Sequence, residues 1–128
     1  MKYYINKTKK GGFEETITQV KEALSKEGFG VLSEINIQEK LNEKLGVDFR
    51  KYTILGACNP PYAYKALLQE DKIGTMLPCN VIVQQLDENT VEVAAVDPAA
   101  SMMSVENDAL AGIAVEIREK LNKVIDAL

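Results

Sequence analysis

Residues 79–96 restrict this chain more than any other stretch. CNVIVQQL (79–86) meets the polar turn Asp87-Glu88-Asn89, and TVEVAAV (90–96) follows. Two valine-rich runs joined by a three-residue turn read as an antiparallel hairpin. A hairpin cannot bury its apolar residues alone, so something must cover it. The C-terminal segment has the right form. Leu110, Ile113, Ala114, Ile117, Leu121, Val124, Ile125 and Leu128 make one apolar stripe at helical spacing. Ser104 is the expected N-cap of that helix, with Glu106 in its first turn.

The remaining elements fall in line before the hairpin. Residues 2–8 (KYYINKT) read as a strand, and Gly11-Gly12 turn the chain. A first helix buries Phe13, Ile17, Val20 and Leu24 and stops at Gly28. Residues 30–37 (GVLSEINI) alternate, with Val31, Ser33, Ile35 and Ile37 expected on one face and Leu32, Glu34 and Asn36 on the other. A short helix with Leu41 and Leu45 facing inward should end at Gly46. Residues 51–57 (KYTILGA) read as a strand. Asn59 then reads as an N-cap with Pro60 at the first helical position, before a helix to about Gln69 burying Ala63, Ala66 and Leu67. The fold class expected is α+β, a mainly antiparallel sheet of about five strands with helices over one face. The length of 128 residues suits one domain spanning 1–128, with roughly two-thirds of the unfolded surface buried.

Composition removes several functions. The chain has no histidine, which excludes Ser-His-Asp and Cys-His catalysis and His-ligated zinc or haem. Any general acid or base must be a carboxylate, lysine, tyrosine or thiol. The net charge of −4 comes with no basic run, so nucleic acid is not an expected partner. Apolar runs fall short of the ~20 residues that span a bilayer, and MKYYINKTKKGGF lacks a secretory apolar core. A cytoplasmic location with reduced thiols is therefore expected, with no membrane partner.

The two cysteines are the chemically distinctive residues. Cys58 lies in ILGACNPPYA and Cys79 in GTMLPCNVIV, each beside an asparagine and close to proline. This similarity suggests one locus of Cys58, Asn59, Pro60, Cys79 and Asn80. Cys58 just precedes a helix N-terminus, which stabilises a thiolate and would suit a nucleophile, with Cys79 as resolving thiol. Buried cysteine is equally at home as a small apolar residue. Asn59 reads first as a cap, and Asn80 as a strand-edge residue. Cys58 and Cys79 lack CxxC spacing, so zinc is not indicated. With Met76, Met102 and Met103 they would suit a soft ion such as Cu(I). No cofactor is named by these residues. Glu34 and Asp97, with Tyr52, Tyr62 and Tyr64, would line any pocket formed between the sheet and the long helix.

At GFGVLSEINIQ, YTILGACNPPYAYKALLQED, IGTMLPCNVIV and AVDPAASMM the chain resembles, over essentially its whole length, the family known as domain of unknown function 302. The resemblance implies a TATA-box-binding-protein-like order of strand, helix, four antiparallel strands and helix. It also implies a homodimer. It carries no agreed activity, and fold class alone does not supply one. The expected function is a small cytoplasmic homodimeric domain that binds or senses a small molecule near ACNP and LPCN. A thiol-dependent redox protein or enzyme, and a soft-metal binding protein, are the alternatives.

Overall fold

The computed structural model describes residues 2–128. Five strands form one antiparallel sheet in the order β1-β5-β4-β3-β2: β1 Tyr4–Lys10, β2 Gly30–Asn36, β3 Tyr52–Cys58, β4 Cys79–Asp87 and β5 Thr90–Val96. The hairpin read from sequence is β4–β5, pairing Val83 with Val93 and Val81 with Ala95. Helices α1 (Phe13–Lys26) and α5 (Asp108–Asp126) lie across one face. Their inward residues, among them Val20, Leu24, Leu121 and Val124, meet Leu55, Val81, Val83, Val91 and Val93 of the sheet, and all of these are fully buried. This is the expected α+β arrangement. At about 25 cal/mol per Å² of apolar area, this interleaved core is the main stabilising term.

α1 ends where Gly28 takes a φ of +85°, which lets Phe29 N–H reach back to the Leu24 carbonyl. Further helices are α2 (Ile37–Leu45), α3 (Pro60–Gln69) and α4 (Pro98–Ser101), and a 3-10 segment runs from Asp71 to Met76. Ala66, Ile73, Met102, Leu110 and Ala114 form a second apolar cluster beneath α3.

Four local expectations are corrected. α5 starts at Asp108 rather than near Ser104, because Asn107 is the cap: its Oδ1 accepts from Ala109 N–H while its Nδ2 donates to the Gln69 carbonyl. The tertiary tie to Gln69 selects Asn107 over Ser104. In β2, a bulge between Val31 and Ser33 breaks the alternation. Val31 pairs with Ala57 on the helix-covered face, whereas Ser33 and Ile35 pair with Gly56 and Ile54 on the other. Leu45 of α2 is exposed, as is Leu67 of α3, since neither helix is covered on its outer side. Strand β1 also runs two residues further, to Lys10, held by pairing with Thr90.

Candidate functional site

Strand alternation sends odd and even positions to different faces. Thr53, Leu55 and Ala57 of β3, Cys79, Val81 and Val83 of β4, and Val91, Val93 and Ala95 of β5 face α1 and α5 and are buried. Cys79 pairs with Ala57, so Cys58, one residue on, belongs to the opposite face. Cys79 and Cys58 are both free thiols, Cys79 buried and Cys58 half-buried. The cysteine pair expected from the two similar motifs therefore does not form, because period-two alternation separates side chains whose backbones adjoin. Burial pushes the Cys79 thiol up to about 11, with a smaller push from Cys58. A thiol held neutral in this way is a poor resolving nucleophile.

Both cysteines border a cavity of only about 20 Å³ beside Ala57, Pro78 and Met102. That is room for about one water. The space expected between the sheet and the long helix is thus filled by packed side chains. Of the methionines, only Met102 borders that cavity with the cysteines; Met76 borders a different one and Met103 is exposed. Among the described residues no cluster of three or more His, Cys, Asp or Glu could hold a metal ion.

The other sequence-selected residues have structural partners. Asn59 stands at the N-cap of α3, yet its side chain does not cap that helix. Its Nδ2 donates to the Glu27 carbonyl at 3.1 Å and ties α3 to the end of α1. Pro60 occupies the first turn of α3 and is exposed. Asp97 is buried and caps α4 through Ala99 N–H at 3.0 Å, and Arg118 Nε lies 3.1 Å from its Oδ2. Glu34 pairs with Lys21 on the outer edge of the sheet. Tyr62 lies against α5, where burial and the Glu116 carboxylate push its hydroxyl up. Tyr64 is exposed.

Asn80 leads to a larger feature. It faces the side of the sheet not covered by α1 and α5, where a groove of about 640 Å³ opens. The register arranges its floor in rows. Tyr4, Val96 and Asn80 make one, Asn6, Ala94 and Ile82 the next, and Thr8, Glu92 and Gln84 the third, with Tyr52 beyond Gln84. Thr75, Met76, Leu77 and Pro78 form a wall. Pro78 lies so close to the sheet that a Cβ on Gly56 would come within 2.9 Å of its Cγ and would overlap the Ser33 hydroxyl. Gly56 therefore lets this segment settle over the uncovered face. The Leu77–Pro78 peptide is cis.

Gln84 and Glu92 of this groove join a relay with Arg50 and Asn6, which lie beside its lining. Arg50 Nε donates to Gln84 Oε1 at 2.8 Å, Gln84 Nε2 donates to Glu92 Oε1 at 2.7 Å, and Asn6 Nδ2 donates to Glu92 Oε2 at 2.9 Å. None of Asn6, Ile82, Gln84, Glu92, Ala94 or Val96 stands out by motif. The signal lies in Ile82, Ala94 and Val96, apolar residues on the second face of β4 and β5, where a wholly solvated strand face would be polar. Gly56 inside a strand is a second signal, of a close approach by another segment.

Comparison with other proteins comes down on the same whole chain. Residues 5–128 match the family described as "Domain of unknown function DUF302". A crystal structure of an uncharacterized conserved DUF302 protein from Bacillus stearothermophilus is similar at 33% identity and a TM-score of 0.90, covering 98% of this chain and 97% of that one. No curated protein matches the sequence.

Proposed function

Because the chain belongs to the DUF302 family, whose description names a fold unit and no reaction, we propose its function from the groove: it is a small-molecule-binding domain. The observation that carries this is the 640 Å³ space on the uncovered sheet face. Its volume falls in the range of about 300–1,000 Å³ usual for ligand pockets. Its lining follows the usual division, with an apolar floor of Ile82, Ala94 and Val96 and a few convergent polar groups at Asn80, Gln84 and Glu92.

The LPCN motif contributes Leu77, Pro78 and Asn80 to this groove, whereas ACNP borders only the small cavity. The reading thus keeps a ligand near LPCN and moves the site from the thiols to the neighbouring face. The thiol and soft-metal readings have less support, since Cys79 is buried and held neutral. Two free cysteines suit a reducing cytoplasm. Self-association into a homodimer belongs to the same reading, supported by the exposed strip of Tyr64, Leu67 and Leu68 on α3. Sedimentation equilibrium measures it directly.

Native mass spectrometry of untagged protein tests the site. Excess mass that is lost in Ala94→Trp and kept in Cys58→Ser supports the groove. The reverse pattern, loss with Cys58→Ser and retention with Ala94→Trp, overturns it in favour of the thiol corner.

A further inference from the structure

The chemical class of the occupant follows from the charge inventory of the groove, and this step rests on the groove being the binding site. Among the described residues that line it, Glu92 alone carries a charged side chain. Each Glu92 oxygen accepts one hydrogen bond from a neutral amide, Gln84 on one side and Asn6 on the other. A carboxylate offers about four lone-pair sites, so acceptor capacity remains. Glu92 makes no direct ion pair among the described residues. Arg50 does not supply one: its guanidinium sits 4.3 Å from the Phe49 ring centroid and 6.0 Å from that of Tyr52, and it reaches Glu92 only through Gln84. The same contact fixes the Gln84 amide, with its oxygen toward Arg50 and its nitrogen toward Glu92. The carboxylate is thus held in place without being neutralised.

The walls have the same polarity. Tyr3 and Tyr4 pack edge to face at 5.1 Å on one side and Tyr52 stands on the other, with the Met76 thioether in the wall between. Aromatic faces present negative potential and attract cations. An anion in this groove would meet Glu92 and the ring faces with no cationic side chain in the lining. A neutral ligand would cover the carboxylate without supplying a charge partner. An ammonium group meets both requirements. Its place along the groove is also set, since Lys2 Nζ already lies 5.5 Å from the Tyr4 ring centroid at the far end. The floor from Val96 to Glu92 is four residues of strand, or about 13 Å, and its Val96, Ala94 and Ile82 side chains are apolar.

The geometry points to a cationic amphiphile as the ligand class: an ammonium head beside Glu92, between the rings that Lys2 and Arg50 already approach, and an apolar body along Ile82, Ala94 and Val96. The test uses decyltrimethylammonium, decyl maltoside and decyl sulfate below their micellar concentrations, titrated into the full chain and followed by amide chemical shifts. The cationic probe is expected to shift the Ile82, Ala94 and Val96 amides and to bind about tenfold tighter than decyl sulfate. Glu92→Gln keeps one acceptor oxygen, for Gln84, and turns an amide NH2 toward Asn6, whose own amide can flip to accept it; the variant should reduce that preference to under about threefold, leaving decyl maltoside unchanged. Loss of the preference in Glu92→Gln with decyl maltoside binding retained separates a lost charge partner from a lost fold, so the result does not depend on the stability of the variant. Equal binding of all three probes in the groove overturns the cation class and leaves the groove standing. Failure of every probe to shift groove amides overturns both.

Discussion

Gly56→Ala gives a stability change whose sign discriminates. Gly56 lies outside the left-handed region, so its backbone accepts alanine, and with open space around it the substitution would stabilise by about 0.4–1 kcal/mol through the unfolded chain. The space is not open. The new methyl would come within 2.9 Å of Pro78 Cγ and would overlap Ser33 Oγ. The serine hydroxyl relieves its share by changing rotamer. Pro78 is a ring in the wall segment, and restoring ordinary contact requires a backbone shift of roughly half an ångström or more. Overpacking of this kind costs about 1–3 kcal/mol. At about 2.1 cal/mol/K per residue, a 128-residue chain has an unfolding entropy near 0.27 kcal/mol/K, so Tm should fall by about 4–11 °C. Calorimetry of Gly56→Ala, Ser33→Ala and the double variant measures this, with most of the loss persisting in the double variant. A Tm equal to or above that of the parent would refute the close approach of Pro78 and the wall it builds.

Other outcomes follow from the same contacts. The Cys79 thiol, raised from its ordinary 9.0 to about 11, binds its proton more tightly in the fold than in the unfolded chain. Its contribution to stability is therefore present below about pH 9 and is lost as pH rises to 11, by about 2–3 kcal/mol at roughly 1.4 kcal/mol per pH unit. Urea titrations from pH 8 to 11 should show this slope in the parent and lose it in Cys79→Ala, and an unchanged slope would contradict the assignment. Asp97→Ala removes both the α4 cap and the Arg118 partner and should cost about 1–3 kcal/mol. Asp97→Asn keeps an acceptor for Ala99 N–H and should lose less than half as much in chemical denaturation. Equal losses would show that the charge, not the cap, is what matters.

The two hairpin strands and the helix stripe were legible because each buries a contiguous face with its own period, 2 for Val81, Val83, Val91 and Val93 and near 3.6 for Leu110, Ala114, Ile117 and Leu121. The β2 bulge was hidden because a single extra residue at Leu32 shows only when Val31 and Ser33 are set against Ala57 and Gly56. The cap of α5 was misread because Ser104 and Asn107 have similar local capping chemistry, and the choice rests on the distant Gln69 carbonyl. The candidate site was harder. Cysteine chemistry drew attention to Cys58 and Cys79, but a one-residue register offset puts them on opposite faces. The groove is made by unremarked residues of three strands and a wall that folds over them, so only their assembly marks it.

If the uncovered face of the sheet binds the ligand, an amide chemical-shift screen of the full chain against a fragment library will report it residue by residue. Hits are predicted to cluster on Asn80, Ile82, Gln84, Glu92, Ala94 and Val96, and to disappear in Ala94→Trp. Hits that gather instead around Cys58, Asn59 and Cys79, and persist in Ala94→Trp, would contradict it.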